Sequence, residues 1–196
     1  MSMLIGITGG IGSGKSAVTQ DLRARGEYVI CADETAREIV LPGRRGNDIL
    51  RTEYGDNFFK PDGTLDRKKL AAHVFGYPER LDRLNNLLHP VIIGHMFKLA
   101  ENPKGRTFLD AALLIQTGMH KRMDFVWLVV ADMETRIQRV MRRDSVNREE
   151  VLRRIGSQMS DNDMRPFADD VIENNGTMEQ LHKRVGAVLK KKEYVR

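Results

Sequence analysis

A phosphate-binding pattern lies near the start of the chain, where Gly9, Gly14, Lys15 and Ser16 fit the spacing G-x-x-x-x-G-K-[ST]. Glycine loses more backbone freedom on folding than any other residue, so a glycine cluster indicates a loop that side chains would block. In this pattern the loop amides surround an anion, the lysine reaches the outer phosphates, and the serine hydroxyl ligates Mg²⁺. The spacing therefore predicts a nucleotide site suited to phosphoryl transfer.

Two carboxylates follow predicted strands and could contribute to this chemistry. Asp33, in the stretch VICAD, could orient a nucleophile and accept its proton, or it could be the N-cap of a helix that begins DETARE. Asp110, at the end of TFLD, could hold Mg²⁺ through water, or it could be an ordinary loop carboxylate with satisfied hydrogen bonds. On the residues alone, both alternatives stay open for each carboxylate.

Basic side chains give a second set of candidates. Arg136, Arg139 and Arg143 are spaced i, i+3 and i+7, which places them on one face of a helix. This face could be solvated, or it could belong to a mobile lid that brings arginine to the transferring phosphoryl group. His89, directly before Pro90, could bind a phosphate, although packing is the simpler interpretation of a single histidine.

These candidates need a sheet to position them, and short apolar runs bounded by polar residues or glycine predict one. The predicted strands are Leu4–Thr8, Tyr28–Ala32, Thr107–Ala111, Phe125–Ala131 and Asp170–Glu173. Helical patterns lie between most of them, which indicates a mostly parallel sheet with helices on both faces. Ligands bind at the carboxyl ends of the strands in such sheets, so the edge that carries the glycine loop is the predicted active edge.

Helices outside this core are predicted in two places. The long gap before the third strand is predicted to contain helices over Thr64–Phe75 and Pro78–Leu88, and the second should end before Pro90. These helices indicate an insertion in the α/β core that carries substrate. A second excursion contains NREE, from Asn147, which resembles a capping box. The last helix begins at the capping box TMEQ, and the tail KKKEYVR is predicted to fray.

Composition limits the class of protein. The chain has 196 residues and one cysteine, Cys31, which excludes an internal disulfide and agrees with a reducing cytoplasm. The longest apolar run, Phe125–Ala131, is too short to span a membrane, and no secretory signal is visible. The net charge of +5 could reflect nucleic-acid binding, a site for small polyanions, or solubility alone. Because the basic residues are dispersed and no aromatic platform accompanies them, a polyanion site is favoured over nucleic acid.

Together these segments resemble the dephospho-CoA kinase family along nearly the whole chain. The resemblance rests on GITGGIGSGKS (6–16), ADETAREIV (32–40), DGTLDRKKLAAHVF (62–75), LNNLLHPVI (84–92), ALL (112–114), RVMRRD (139–144) and FADDVIENNG (167–176). It implies an α/β P-loop NTPase fold with a five-stranded, mostly parallel sheet. It also implies a core of residues 1–33, 100–135 and 164–196, a helical substrate-binding insertion over 34–99, and a helical lid over 136–163.

The resemblance further implies a reaction and its site residues. ATP would phosphorylate the ribose 3′-hydroxyl of dephospho-CoA, giving CoA and ADP, with Mg²⁺ as cofactor in a cytoplasmic monomer or weak homo-oligomer without nucleic-acid or membrane partners. Asp33 would be the base, with Lys15 and either Arg139 or Arg143 as further catalytic residues and Ser16 and Asp110 at the metal. The implied nucleotide contacts are Ile11, Gly12, Ser13, Gly14, Lys15, Ser16 and Asn175, and the implied substrate contacts are Thr8, Asp33, Arg37, His89 and Leu114.

The sequence departs from the family pattern at three positions. Cys31 replaces the first aspartate of an Asp-Ala-Asp motif, and Ala112 and Gln116 replace a proline and a glutamate. Two alternative functions also remain at this stage. One is a different small-molecule kinase of the nucleoside-monophosphate-kinase type, which a panel of acceptors would identify. The other is a non-catalytic nucleotide switch or a nucleic-acid-binding ATPase, which would not phosphorylate a metabolite.

Overall fold

A computed structural model describes residues 3–101, 105–191 and 194 of the chain. Its sheet has five strands in the order β2-β3-β1-β4-β5, and the pairs β1–β3, β1–β4 and β4–β5 are parallel. The strands are β1 (Met3–Thr8), β2 (Tyr28–Cys31), β3 (Arg106–Asp110), β4 (Phe125–Val130) and β5 (Asp170–Glu173). All five predicted strands are confirmed, and their ends differ from the prediction by a single residue at most.

The helices follow the predicted alternation with strands. In chain order they are α1 (Lys15–Ala24), α2 (Ala32–Glu38), α3 (Arg45–Tyr54), α4 (Arg67–Val74), α5 (Pro78–Ala100), α6 (Met133–Asp144), α7 (Arg148–Gly156), α8 (Asp161–Met164) and α9 (Met178–Leu189). Three 3₁₀ turns cover Asp56–Phe58, Met119–Arg122 and Arg165–Phe167. No helix in the described ranges combines the length and the apolar character that crossing a bilayer demands.

The chain forms two compact units, of which the first contains the sheet and comprises Met1–Ile30 and Asn102–Arg196. Its strands are buried on both faces, as expected for a parallel sheet covered by helices. On β4, Trp127 and Val129 join one apolar cluster, whereas Leu128 and Val130 join another on the opposite face. This alternation explains why the strand reads in the sequence as one continuous apolar run.

Capping residues define the ends of the helices in this unit. The Asn147 side chain accepts a hydrogen bond from the Glu150 amide at 2.9 Å, which confirms the predicted start of α7. The predicted capping box of α9 is also present, with reciprocal hydrogen bonds between Thr177 and Gln180. Each cap satisfies amides that the first turn of a helix leaves without a backbone partner.

The predicted fraying of the C-terminal tail is wrong at Tyr194. Its side chain is 1% exposed, and its hydroxyl donates to Asp170 Oδ2 at 2.6 Å. The ring packs edge-on against Phe125 and Trp127, with centroids 4.7 and 5.5 Å apart. Burial of a large aromatic side chain with a satisfied hydroxyl offsets the entropy cost of ordering the tail. Residues 192, 193, 195 and 196 lie outside the described residues.

The second unit, Cys31–Glu101, consists of helices α2 to α5 and has its own apolar core. Its buried members are Ile39, Val40, Leu50, Leu70 and Val74. Helix α4 begins at Arg67, three residues after the predicted start at Thr64, because Asp66 is its N-cap and accepts from the Lys69 amide at 3.0 Å.

The predicted end of α5 before Pro90 is wrong, because this helix continues through the proline to Ala100. Proline removes one backbone hydrogen bond and disfavours the helical interior. However, Leu84, Leu88 and Val91 lie at helical spacing on both sides of Pro90 and pack against the same apolar cluster. Burial of this continuous stripe outweighs the local preference of the proline.

Candidate active site

The glycine loop connects β1 to α1 at the carboxyl edge of the sheet, as the pattern predicts. Gly14 is the N-cap of α1 and has φ +91°, a left-handed conformation that favours glycine. A Cβ on Gly9 would lie less than 3.0 Å from the Val129 carbonyl oxygen, so the loop approaches β4 too closely for a side chain. Steric demands of the backbone therefore account for these two glycines.

Lys15 and Asp110 form an ion pair at this edge. Lys15 is the first residue of α1, Asp110 is the last residue of β3, and the lysine ammonium donates to the Asp110 carboxylate. The aspartate side chain is only 4% exposed, so its charge requires a partner. The pair places a cation and an anion of the predicted site in direct contact, at the strand ends where parallel sheets bind ligands.

The side chains predicted to hold Mg²⁺ are of the right chemical type. Ser16 is exposed at the start of α1 and Asp110 is buried at the end of β3, so both offer oxygen, the donor that this cation prefers. The described residues contain no group of three or more His, Cys, Asp or Glu able to hold a metal ion. Such a site fits a cation bound jointly by a few protein oxygens and by substrate phosphates.

Two amides of the loop donate hydrogen bonds to groups within the protein. Ile11 donates to the Gln158 side chain at 2.7 Å, and Ser13 donates to the Gly10 carbonyl oxygen at 3.1 Å. Both were predicted nucleotide contacts, and both have partners within the protein. Gln158, which lies just beyond α7, was not recognised from the sequence because a single glutamine at that distance carries no spacing signal.

Two of the three predicted arginines contact the loop, and the third does not. Arg136 is buried and donates through Nε to the Ile11 carbonyl oxygen at 2.9 Å. Arg139 donates to the Gly12 and Ser13 carbonyl oxygens at 3.4 and 3.3 Å. The helix face that the i, i+3 spacing predicts thus packs on the loop carbonyls in its first two turns.

Arg143 lies one turn further along α6 and is paired with its neighbour. Its guanidinium donates to both oxygens of Asp144, at 2.7 and 3.0 Å, and the side chain is 62% exposed. These hydrogen bonds raise the pKa of Arg143 and lower the pKa of Asp144. Between the two arginines considered as catalytic residues, Arg139 is the one that touches the loop.

The segment after β5 contributes an asparagine that the sequence reasoning did not single out. Asn174 is buried, and its Nδ2 donates to the Ser13 carbonyl oxygen at 2.9 Å. Its neighbour Asn175, the predicted nucleotide contact, is exposed and accepts a hydrogen bond from the Asp132 amide at 2.7 Å. The family-like stretch NNG drew attention to this segment, but only the structure distinguishes the two asparagines.

The remaining predicted contacts of the first unit are buried. Thr8 is fully buried and donates its hydroxyl to the Ala112 carbonyl oxygen at 3.2 Å. Leu114 is also fully buried, and its side chain would meet a Cβ on Gly6 at less than 3.0 Å. Their roles as substrate contacts stay predictions.

Asp33 and Arg37 lie one turn apart on α2 in the second unit, and both are exposed. The N-cap of α2 is Cys31 rather than Asp33, and the Cys31 side chain makes no capping hydrogen bond. Asp33 is instead an acidic residue of the first helical turn, so the interpretation of Asp33 as the N-cap is wrong. Its position leaves the carboxylate exposed at the helix start.

His89 lies inside α5 and is half-buried. Burial lowers its pKa, because removal from water disfavours the charged imidazolium. The neutral ring is therefore favoured near neutral pH, and a neutral ring donates one hydrogen bond through one nitrogen and accepts one at the other.

A cavity of about 510 Å³ opens elsewhere in the second unit. It is lined by Glu38, Ile39, Gly43, Arg44, Arg45, Pro90, Val91, Gly94, His95 and Lys98. Asp33, Arg37 and His89 are not among its lining residues. On a helix with 3.6 residues per turn, Glu38 faces roughly 140° away from Asp33, which agrees with that separation.

Comparisons with known proteins give one consistent result. The sequence model of the dephospho-CoA kinase family matches residues 3–180. The dephospho-CoA kinase of Corynebacterium glutamicum is 41% identical over 182 residues, covering 91% of each protein. That of Geobacter sulfurreducens is 37% identical over 193 residues, covering 96% of this chain and 98% of the relative.

Solved structures share the fold of this chain. A crystal structure from Thermus thermophilus superposes with a TM-score of 0.78 at 37% identity, covering 97% of this chain and 98% of the other. The dephospho-CoA kinase of Campylobacter jejuni gives 0.66 at 24% identity, covering 97% of each chain. Shikimate kinase of Acinetobacter baumannii gives 0.55 at 18% identity, covering 98% of this chain and 96% of the other, and shares the fold alone.

Proposed function

The chain belongs to the dephospho-CoA kinase family, and we propose which of its residues carry the family's reaction. The enzyme transfers the γ-phosphoryl group of ATP to the ribose 3′-hydroxyl of dephospho-CoA, giving CoA and ADP in the last step of coenzyme A synthesis. The observation that carries the residue assignments is the glycine loop between β1 and α1, where Lys15 and Asp110 meet at the carboxyl edge of the sheet.

Lys15 neutralises the charge that develops on the phosphoryl oxygens, and amides of the loop orient the phosphates. The position of Lys15 as the first residue of α1 supports this role, because the amides and the dipole of the helix both favour an anion there. When phosphates occupy this edge, they compete with Asp110 for the same ammonium. Arg139 is the lid arginine of the proposal, since of the two candidates, Arg139 and Arg143, it is the one that contacts the loop.

Ser16 and Asp110 would hold Mg²⁺ together with the ATP phosphates, the serine directly and the aspartate through water. The cation supplies charge neutralisation of the phosphates when it is bound. The oxygen donors of both side chains and their places at the ends of α1 and β3 support this assignment. The chain's own residues orient the phosphates and exclude water that would otherwise hydrolyse ATP.

Asp33 accepts the proton of the 3′-hydroxyl as the O3′–Pγ bond forms and the bond from Pγ to the β-phosphate oxygen breaks. The hydroxyl proton moves to the carboxylate, and ADP leaves with the electron pair of the broken bond. The exposed position of Asp33 in the first turn of α2 supports this role, because its carboxylate is not the N-cap of the helix. Within the second unit, Arg37 and His89 remain the proposed acceptor contacts, and Thr8 and Leu114 complete the set in the first unit.

One incubation tests the reaction directly. Protein, Mg-ATP and dephospho-CoA should yield CoA and ADP in equal amounts, detected by mass. A parallel panel of nucleoside monophosphates and shikimate should yield no phosphorylated product. ATP hydrolysis without phosphorylation of any acceptor would contradict the kinase assignment. A cytoplasmic location, a monomeric or weakly associating state, and the absence of nucleic-acid or membrane partners stay predictions.

A further inference from the structure

Both backbone groups of Ile11 are held by side chains from the segment between β4 and β5. Arg136 Nε donates to its carbonyl oxygen at 2.9 Å, and Gln158 Oε1 accepts from its amide at 2.7 Å. Both distances are typical of well-formed hydrogen bonds. The Arg136 side chain is 7% exposed and also lies 3.4 Å from Asp161. A buried cation is thus directed at the backbone of the phosphate-binding loop.

A bond to the Ile11 carbonyl oxygen also sets the direction of the next amide. The peptide group is planar and trans, so the Ile11 carbonyl and the Gly12 N–H point in opposite directions. Because Arg136 holds the carbonyl, it fixes the direction of the Gly12 amide. Asn174 does the same for the Gly14 amide through the Ser13 carbonyl oxygen, at 2.9 Å. Amides that are fixed in direction before the ligand arrives bind phosphate without a reorganisation cost.

Gly10 provides an independent indication of what Arg136 requires. Gly10 does not have a positive φ, so its backbone conformation is open to other residues. The three atoms nearest to a Cβ at this position all belong to the Arg136 guanidinium, and the nearest, Nη2, would be less than 3.0 Å away. Space for the guanidinium is therefore the reason that the structure gives for glycine at position 10.

We infer that Arg136 is a positioning residue for phosphoryl transfer, which holds the Ile11 carbonyl outward so that the Gly12 amide faces the nucleotide phosphates. The inference rests on the proposed function for the identity of the ligand. Arg136 thus acts on the loop backbone rather than on the phosphoryl group, and glycine at position 10 leaves room for the Arg136 guanidinium. Displacement of the guanidinium by even a methyl group then disturbs nucleotide binding.

A double-mutant cycle between Gly10→Ala and Arg136→Met tests this inference, because methionine keeps an unbranched side chain and removes the guanidinium with its donors. The measured quantity is the Kd of a non-hydrolysable ATP analogue with Mg²⁺, determined on protein shown to be folded by a thermal melt. Each single variant should bind the analogue roughly tenfold more weakly, and Gly10→Ala should have little further effect when Arg136 is absent. Arg142→Met, an exposed arginine on the same helix, is the matched control and should combine additively with Gly10→Ala.

Steady-state kinetics separates positioning from a purely structural role. Both single variants should lower kcat and raise KM for ATP, while KM for dephospho-CoA stays within about twofold of wild type. Additive effects in the cycle, or a lower melting temperature with unchanged ATP affinity and kcat, would overturn the inference. If Arg136→Met does not fold, Arg136→Leu, which also lacks a donor, takes its place in the cycle. If the cycle showed the expected coupling but the wild-type protein made no CoA, the proposed function would be contradicted and the positioning role would stand.

Discussion

At the scale of single residues, the charge pair at the sheet edge links catalysis to stability. Lys15 and Asp110 neutralise each other, and the aspartate is almost completely buried. Removal of one partner from a buried pair costs about 3–5 kcal/mol, because the other charge is left uncompensated. A substitution at Lys15 therefore acts on the fold as well as on the phosphates, and the two effects have to be separated.

Lys15→Ala should lower kcat by two orders of magnitude or more, roughly 3 kcal/mol in the barrier, and should also lower the melting temperature. The double variant Lys15→Ala/Asp110→Asn should regain much of the lost thermal stability, because the neutral asparagine leaves no unpaired charge in the interior. It should regain none of the turnover, because the lysine is still missing. Thermal melts and steady-state kinetics on the three proteins measure both effects. Near-normal kcat in the folded single variant would refute the phosphate-binding role of Lys15.

Asp33→Asn tests the proposed base with a nearly isosteric change. The structure limits its effect on stability to the interaction with the helix dipole, about 0.3–1 kcal/mol, because Cys31 and not Asp33 is the N-cap. The loss of kcat should be about 10²–10⁴, the usual contribution of a positioned base, and smaller if the hydroxyl loses its proton late. Glu34→Gln changes an acidic residue of the same helical turn and should keep wild-type kcat. Equal kcat for both variants and wild type would direct the search for the base to Asp110.

His89 gives the second unit a pH dependence of known sign. Burial lowers its pKa in the folded state, so the unfolded chain binds a proton more readily. Stability therefore decreases as the pH falls through the unfolded value of about 6.5. His89→Asn, which cannot titrate, should lose less thermal stability than wild type between pH 7.5 and pH 5.5. An identical pH dependence for wild type and His89→Asn would refute the prediction.

At the scale of elements, local sequence pattern predicts what local physics decides. The strands and the caps at Asn147 and Thr177 follow from apolar runs and hydrogen-bonding side chains within a few residues. Pro90 was misjudged because the packing of residues on both sides of it, which no local rule contains, keeps α5 helical. Gln158 and Asn174 were missed for the same reason, since their partners on the loop are more than a hundred residues away along the chain.

The tail offers a test at this scale, because the Tyr194 hydroxyl joins it to β5 beside the ion pair of Lys191 with Asp170. Tyr194→Phe keeps the ring contacts but removes the hydrogen bond to Asp170, and hydrogen bonds to charged groups contribute about 1.5–3 kcal/mol. Burial of the tyrosine and its bond to Asp170 raise the pKa of the phenol, which keeps it a donor across the physiological range. The denaturation midpoint of the variant should fall measurably, whereas Tyr28→Phe, at an exposed tyrosine, should leave it unchanged. An unaltered midpoint for Tyr194→Phe would mean that the tail contributes no stability through this bond.

At the scale of the whole molecule, the two compact units suggest a division of labour between the two substrates. The first unit contains the glycine loop and the arginines of α6, whereas the second contains Asp33, Arg37 and His89. The resemblance to the family predicts that nucleotide binds to the first and acceptor to the second. A ligand stabilises the part of a protein that binds it, because it binds the folded form and not the locally opened form.

Amide hydrogen exchange can therefore locate each substrate separately. A non-hydrolysable ATP analogue with Mg²⁺ should slow exchange in the glycine loop and in α6, while dephospho-CoA alone should slow exchange in α2 and in the middle of α5. At a concentration of 100 times Kd, the protection of the bound segments corresponds to about 2.7 kcal/mol, which is readily measured as slower exchange. Asp33→Asn should retain both patterns, because asparagine is nearly isosteric with aspartate and leaves the other acceptor contacts in place, and it should slow turnover when both substrates are present. Protection by dephospho-CoA confined to the first unit would refute the assignment of Cys31–Glu101 as the acceptor domain, even if the enzyme makes CoA at its full rate.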